Sequence, residues 1–356
     1  MPFQNQLKSF KIELDYELKK YLELKLREAK KVSPFAEEIM SHVAELTLRG
    51  GKRVRAALLY NSYLAHGGND RQMAMQAAMS MEMAETYLLI HDDIMDNGTL
   101  RRGGPTIHEI YRHIADERYH ERISARGFGV SIALLAGDIA GAMSNEIIAD
   151  AGFKPEYTSS AVRELNKIYI LEGYGQALDM ICQVRDNVNQ NDILKVHQLK
   201  TVPYTVDGPV KIGAILAGAS VDDLKKLESY TVPLGSAFQI QDDILGLFGT
   251  TEKIGKQATS DLKEGKKTLL ILDALDQADK EQSDIITNNL GNKRVTIGAL
   301  KAVRKVIEET GALGKSKKLA HDLAKKSIET ISKLKLDDEG KKFLINIAEY
   351  IIAREY

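Results

Sequence analysis

Apolar residues recur every three or four positions along almost the whole chain. Leu7, Phe10, Leu14, Leu18, Leu22 and Leu26 form the first stripe, which predicts an amphipathic helix within residues 1–33. Ser33-Pro34 opens a second helix, with proline at the first turn, where its missing N–H costs nothing. Gly50-Gly51 breaks the pattern, Lys52 to His66 resumes it, and Gly67-Gly68 closes it. A helix rich in Met and Ala is expected from about Asp70 to Asp96, with its Met stripe in the core. Gly103-Gly104-Pro105 then turns the chain into a short helix near His108 to Ala115.

Helical spacing returns over Ser124 to Ala151, Glu156 to Arg185, Asn191 to Leu199 and Asp222 to Phe248. Val202-Pro203 predicts a break before Ala219. Gly249 to Gly265 is a polar loop of a length that often carries function. Lys267 to Tyr356 reads as four amphipathic helices with turns at Gly291-Asn292 and Gly311 to Gly314. Strand alternation, low-complexity segments and linkers are lacking. The pattern predicts an all-α chain, one domain over residues 1–356.

Composition narrows the function classes. The 356 residues are 44% hydrophobic with only 7 prolines, enough for a large core of long helices. Lys and Arg total 49 against 50 Asp and Glu, which argues against a general nucleic-acid surface. The single cysteine, Cys182, excludes an internal disulfide and suits a reducing compartment, with core packing as its expected role. Lys8, Lys11, Glu13, Asp15 and Glu17 leave no secretory apolar region at the N-terminus. The longest apolar stretch, Phe128 to Met143, is interrupted by Asp138 and falls short of the ~20 residues of a membrane span. Gly137 and Gly141 within it have the spacing of close helix packing. The expectation is a cytoplasmic protein with no membrane span.

The chemistry gathers at His91 to Gly104. Asp92 and Asp96 stand four residues apart at the end of the apolar run Tyr87 to Ile90, which on a helix puts both carboxylates on one face beside Asp93. Three acids within about one turn repel one another unless a cation joins them, and oxygen-only ligands select a hard ion such as Mg²⁺. Arg101 and Arg102 follow, and acids that hold metal beside paired arginines suit a diphosphate. Acid clusters at helix ends are ordinarily only solvated, so one copy decides little. A second copy, Gln239-Ile240-Gln241-Asp242-Asp243-Ile244-Leu245-Gly246, also ends an apolar stretch and precedes Lys256, Lys266 and Lys267. The motifs are far apart in the chain, and an antiparallel bundle could bring both to one cavity mouth.

With these residues in hand, the chain resembles the trans-isoprenyl diphosphate synthases. Asp92-Asp93-Ile-Met-Asp96 with Arg101-Arg102-Gly103 matches that family's first aspartate-rich motif, and Asp242-Asp243-Ile-Leu-Gly246 its second. Gly50-Gly51-Lys52-Arg53-Val54-Arg55, Lys200-Thr201, Gly255-Lys256 and Asp261-Leu-Lys-Glu-Gly-Lys266 match its basic motifs, in order from about residue 35 onward. The resemblance implies an isoprenoid-synthase-type helical bundle around a central cavity, working as a homodimer. The implied reaction is Mg²⁺-dependent condensation of isopentenyl diphosphate with an allylic diphosphate by ionisation, condensation and elimination. It implies that Asp92 and Asp96 hold two Mg²⁺ and Asp242 a third, with Mn²⁺ able to substitute. Arg101, Lys200, Lys256 and Lys266 would grip the allylic diphosphate, while Lys52, Arg55 and Arg102 would hold isopentenyl diphosphate. Gln239 and Thr201 would stabilise the cation as dipoles, and Asp93 and Asp243 would support the metal ligands. No Ser-His-Asp or Cys-His arrangement is needed, and none is found.

Two positions depart from the family pattern. Gly246 stands where a third Asp is usual, and Glu85 where many relatives have a His or Gln that reaches isopentenyl diphosphate. A carboxylate would repel a diphosphate unless paired, so Glu85 reads as a positioner of Lys52, Arg55 or Arg102. For product length, an ideal wheel places Leu88, Glu85 and Met81 near the Asp92 face and Tyr87 about 140° from it. In the family, however, the fifth position before the first Asp is a length gate. Tyr87 there, with the smaller Leu88, implies geranylgeranyl diphosphate; farnesyl and longer C25–C30 products are the alternatives. Two remote rivals are a His-Asp-type metal phosphohydrolase, prompted by His91-Asp92, and a non-catalytic partner subunit. The first needs further paired histidines and the second lacks acid motifs. A head-to-head condensing enzyme or terpene cyclase would not need Lys52 and Arg55.

Overall fold

The computed structural model describes residues 3–119, 122–250 and 257–353. The fold is all-α. Its helices are α1 (Phe3–Val32), α2 (Pro34–Leu48), α3 (Val54–Ala65), α4 (Arg71–Met95), α5 (Ile107–Arg118), α6 (Ala125–Ala149) and α7 (Pro155–Val184). There follow α8 (Gln190–Val196), α9 (Gly208–Leu216), α10 (Val221–Phe248), α11 (Ser260–Glu264), α12 (Leu269–Gln277), α13 (Lys280–Asn289), α14 (Ile297–Glu309), α15 (Ala312–Lys333) and α16 (Asp338–Ile352). Two compact units emerge, one of Met1–Tyr60 with Gly68–Val162, the other of Asn61–Gly67 with Arg163–Tyr356.

In the first unit, α1 buries Leu7, Phe10, Leu14, Leu18 and Leu22 of the stripe expected from periodicity, and leaves Leu26 half-buried. Ser33 caps α2 by accepting from the Ala36 N–H at 3.0 Å, and Asp70 caps α4 through the Met73 N–H at 2.9 Å, each worth about 1 kcal/mol. The centre of the unit is α4, which buries Met75, Met79, Met81 and Met83 and packs against α6. Gly137 and Gly141 permit that approach. A β-carbon on Gly137 would lie 2.5 Å from His91 Nε2, and one on Gly141 would lie 3.3 Å from the Tyr87 ring. Helix α6 has 25 residues and is long and apolar enough to cross a membrane by length and composition alone; half of its apolar window is buried inside the protein. It exceeds the expected apolar stretch because Ser124 caps it and polar residues continue it to Ala149.

A two-stranded antiparallel hairpin, β1 (Leu100–Arg101) and β2 (Gly104–Pro105), follows α4. Too short for alternation to reveal it, the hairpin turns through Arg102 (φ 52°) and Gly103 (φ 77°), both left-handed. Arg49 pins it by donating to the Arg101 carbonyl at 3.2 Å and the Pro105 carbonyl at 2.8 Å.

In the second unit, α10 packs against α15 and buries Ala237, Ile240, Ile244, Leu247 and Phe248 in a core that includes Cys182. The break expected at Val202-Pro203 does not occur. Instead the helix widens into two π-turns, His197–Thr201 and Pro203–Asp207. The Val202 N–H reaches the His197 carbonyl and the Gly208 N–H reaches the Pro203 carbonyl, both five residues back. The wider turn accommodates a proline that would clash in an α-helix. Among its described residues the C-terminal region holds five helices, not four, because Asp279 and Gln282 form a capping box that separates α12 from α13. Gly314 lies inside α15, and Gly311, at φ 78°, supplies the turn before it.

Candidate active site

The first aspartate motif closes α4. Asp92 is half-buried, Asp93 is buried, and Asp96 caps the helix with its backbone N–H on the Asp92 carbonyl at 2.9 Å. Arg101 reaches back from β1 to both acids: Nε donates to Asp93 Oδ1 at 2.7 Å and Nη2 to Asp92 Oδ2 at 3.1 Å. Burial opposes the Arg101 charge, but Asp93 and Asp92 outweigh it and raise the guanidinium pKa. Asp93 is thus committed to Arg101, whereas Asp92 and Asp96 keep oxygens nearer solvent.

The early basic motif is held from below. Arg53, buried and left-handed at φ 55°, donates to Glu82 Oε2 at 2.6 Å, Asp15 Oδ1 at 2.8 Å and the Thr47 carbonyl at 2.8 Å. These anchors fix the loop on which exposed Lys52 sits, two residues before the start of α3, which carries Arg55. Glu85 accepts from Arg102 Nη2 at 2.8 Å, and the same Oε1 stands 3.3 Å from Arg55 Nη1. The Arg102 guanidinium also lies over Gly51, where a β-carbon would stand 3.1 Å from Nη2. Arg55, Arg102 and Glu85 therefore form one cluster, with Lys52 on the adjoining loop. Farther up α4, Tyr87 meets the His91 ring edge-on with centroids 4.8 Å apart, and Leu88 is buried.

In the second unit, Lys200 leaves the first π-turn to donate to Asp179 Oδ2 on α7 at 3.0 Å. Gly175 allows that approach, since a β-carbon there would meet the Lys200 backbone at 2.4 Å. Thr201 donates to Gln239 Oε1, and Gln239 Nε2 donates to Asp243 Oδ1 at 2.7 Å. Lys266 Nζ stands 3.3 Å from the same oxygen. Burial would raise the Asp243 pKa, but Lys266, His197 and Gln239 outweigh it and hold it at about 2. Asp242, one residue away, is exposed and resembles Asp92 and Asp96 in its access to solvent. Lys256 lies outside the described residues.

The vacancy at Gly246 is filled. A β-carbon there would stand 2.0 Å from Asp261 Oδ2, so the buried Asp261 carboxylate lies against the glycine at the end of the second motif. Sequence reasoning missed Asp261, Asp179, Arg53, Glu82 and His197 as members of these clusters. Asp261 and Arg53 lay within quoted motifs, and the signal available was a charged residue with no evident partner nearby in the chain.

The model of the polyprenyl synthetases matches residues 36–307. The chain belongs to the polyprenyl synthetase family. This polyprenyl synthetase is accordingly an enzyme, a trans-prenyltransferase. It is 32% identical over 309 residues to a geranylgeranyl diphosphate synthase of Sulfolobus acidocaldarius, covering 86% of this chain and 87% of that one. It is 33% identical over 310 residues to a geranylfarnesyl diphosphate synthase of Aeropyrum pernix, covering 86% and 91%. Among solved structures, a geranylgeranyl pyrophosphate synthase from Corynebacterium glutamicum, complexed with isoprenyl diphosphate and magnesium, superposes with a TM-score of 0.91 at 27% identity, covering 98% of this chain and 99% of that one.

Proposed function

We propose that this synthase condenses isopentenyl diphosphate with an allylic diphosphate in the presence of Mg²⁺ and releases geranylgeranyl diphosphate. The observation that carries this reading is the division of labour in both acid motifs. In each, one aspartate is buried and committed to a basic partner, Asp93 to Arg101 and Asp243 to Lys266, while Asp92, Asp96 and Asp242 retain access to solvent. Among the described residues no three His, Cys, Asp or Glu side chains form a metal cage on their own. Mg²⁺ takes one or two carboxylates and completes its shell with water and substrate phosphate, and Asp92, Asp96 and Asp242 offer carboxylates of that kind.

In this reading Asp92 and Asp96 hold two ions and Asp242 a third, and Mn²⁺ can replace them. The bound ions would neutralise the departing diphosphate, the group on which charge develops. Arg101, Lys200, Lys256 and Lys266 grip that diphosphate, each acid-paired lysine or arginine already oriented by its carboxylate. Lys52, Arg55 and Arg102 bind isopentenyl diphosphate without metal. Thr201 and Gln239 present dipoles to the allylic cation, with the Thr201 hydroxyl donating to Gln239 Oε1. The pyrophosphate released is the base for the final proton.

Tyr87 and Leu88 set the length at C20, supported by relatives named for geranylgeranyl diphosphate. A geranylfarnesyl product is the second reading, favoured by the relatives from Aeropyrum pernix and Natronomonas pharaonis. A cytoplasmic homodimer completes the proposal, with Leu134, Leu135 and Ile139 exposed on α6 as its support. Radiolabelled isopentenyl diphosphate with dimethylallyl, geranyl and farnesyl primers, followed by product chromatography, tests the whole reading. Failure to extend farnesyl diphosphate would overturn the C20 assignment.

A further inference from the structure

One buried side chain outside every role assigned above meets the site from behind. His197 is 4% exposed and opens the first π-turn. Its Nε2 stands 3.4 Å from Asp243 Oδ2, and its Nδ1 is buried without a hydrogen-bond partner. A ring with one carboxylate on the Nε2 side and nothing on the other carries its proton on Nε2, where Asp243 accepts it. The other oxygen, Oδ1, faces Gln239 and Lys266, so the carboxylate is held at both ends.

The pairing has a second rung. Thr201, four residues after His197 on the same turn, donates to Gln239, four residues before Asp243 on α10. Gln239 commits its Nε2 to Asp243, and this leaves its Oε1 toward Thr201. The position of Asp243 therefore decides which way the amide dipole points.

We propose that His197 is a positioning residue for prenyl transfer, bracing Asp243 so that the Gln239–Thr201 pair keeps a single orientation. The inference rests on the reading of Gln239 and Thr201 as the dipoles beside the allylic cation. A dipole that stabilises developing charge acts in the transition state more than in the bound ground state. Losing its alignment therefore lowers kcat and leaves KM nearly unmoved. A histidine that only filled volume would be replaced by leucine at no cost in turnover.

Steady-state kinetics of His197→Leu, His197→Gln and His197→Asn, with thermal unfolding of each, test this. Glutamine can place a donor where Nε2 lies; asparagine places its amide nearer Nδ1. We expect His197→Leu to lower kcat roughly tenfold to a hundredfold, the span of one hydrogen bond to a charged group. The KM for isopentenyl diphosphate should stay within about twofold, since Lys52, Arg55 and Arg102 are untouched; the allylic KM is not the diagnostic, because Asp243 also holds Lys266. His197→Gln should retain most of the parent turnover and His197→Asn should not. In an Asp243→Asn background, His197→Leu should cost little more, because the two residues act through one contact. Parent-like turnover in His197→Leu, or equal turnover in the glutamine and asparagine variants, would overturn the proposal. If leucine prevents folding, the glutamine–asparagine contrast still decides. Failure of the underlying reading looks different: Thr201→Val and Gln239→Leu would then leave turnover intact, and the inference would fall with it.

Discussion

Arg102 and Glu85 are joined by a 2.8 Å hydrogen bond from Nη2 to Oε1, and the same carboxylate oxygen faces Arg55. Burial raises the Glu85 pKa, but Arg55 and Arg102 outweigh it and hold the carboxyl below its ordinary value. An ionised carboxylate therefore orders the two guanidiniums proposed for isopentenyl diphosphate and competes with that substrate for their charge. Glu85→Gln keeps an acceptor and removes the charge. Its KM for isopentenyl diphosphate should fall several-fold with kcat little changed, in initial rates at saturating allylic primer. A rise in KM would mean that the charge organises the site more than it repels the substrate.

Asp92 and Asp93 should behave differently despite being neighbours. Asp92→Ala is expected to cut turnover by at least about a hundredfold, the scale of losing one group that stabilises developing charge, while the protein stays folded. Asp93→Ala removes the buried partner of Arg101 and should also destabilise the fold by about 2 kcal/mol. Activity assays in Mg²⁺ and in excess EDTA, beside urea unfolding of both variants, check this. Full activity of Asp92→Ala, or of the parent in EDTA, would remove the metal assignment.

The second motif predicts an acid limit on stability. Asp243 titrates at about 2 in the folded protein, against ~3.9 for an unfolded aspartate. A depressed folded value means that the stabilisation is complete above pH ~4 and is lost as pH falls towards 2. The contribution is about 2 to 3 kcal/mol. Asp243→Asn should flatten the fall in unfolding free energy between pH ~4 and ~2, measured by chemical denaturation. An unchanged slope would show that other carboxylates govern acid unfolding.

Tyr87 rests over Gly141 of α6 and against the His91 ring, while Leu88 is buried one position on. Tyr87→Ala should shift products beyond those of the parent, read by chromatography of the dephosphorylated alcohols. An identical distribution would transfer the length assignment to Leu88 or Met81.

Periodicity made most of the helices legible because a buried stripe needs a side chain every three or four residues, as in α1 and α4. It could not reveal the π-turns around Pro203, where the backbone changes register while Pro203, Tyr204, Thr205 and Val206 all stay buried. The wheel placed Tyr87 away from the Asp92 face, and the structure places its ring on α6. The motif residues proposed for the site were legible because the metal and diphosphate chemistry proposed for them restricts residue type. The partners of Lys200, Arg53 and Asp243 were not, since Asp179, Glu82 and His197 become neighbours only through folding.

The contact between Gly246 and Asp261 bears on how this chain could be engineered. A consensus redesign would restore aspartate at position 246, as the family pattern suggests. Here that side chain would have its β-carbon 2.0 Å from the Asp261 carboxylate, so two negative groups would compete for one buried place. The substitution is coupled to Asp261: that carboxylate must move aside, and a second change such as Asp261→Gly that vacates the space should relieve the cost. A position that looks like a loss in an alignment is thus occupied by a carboxylate arriving from fifteen residues downstream.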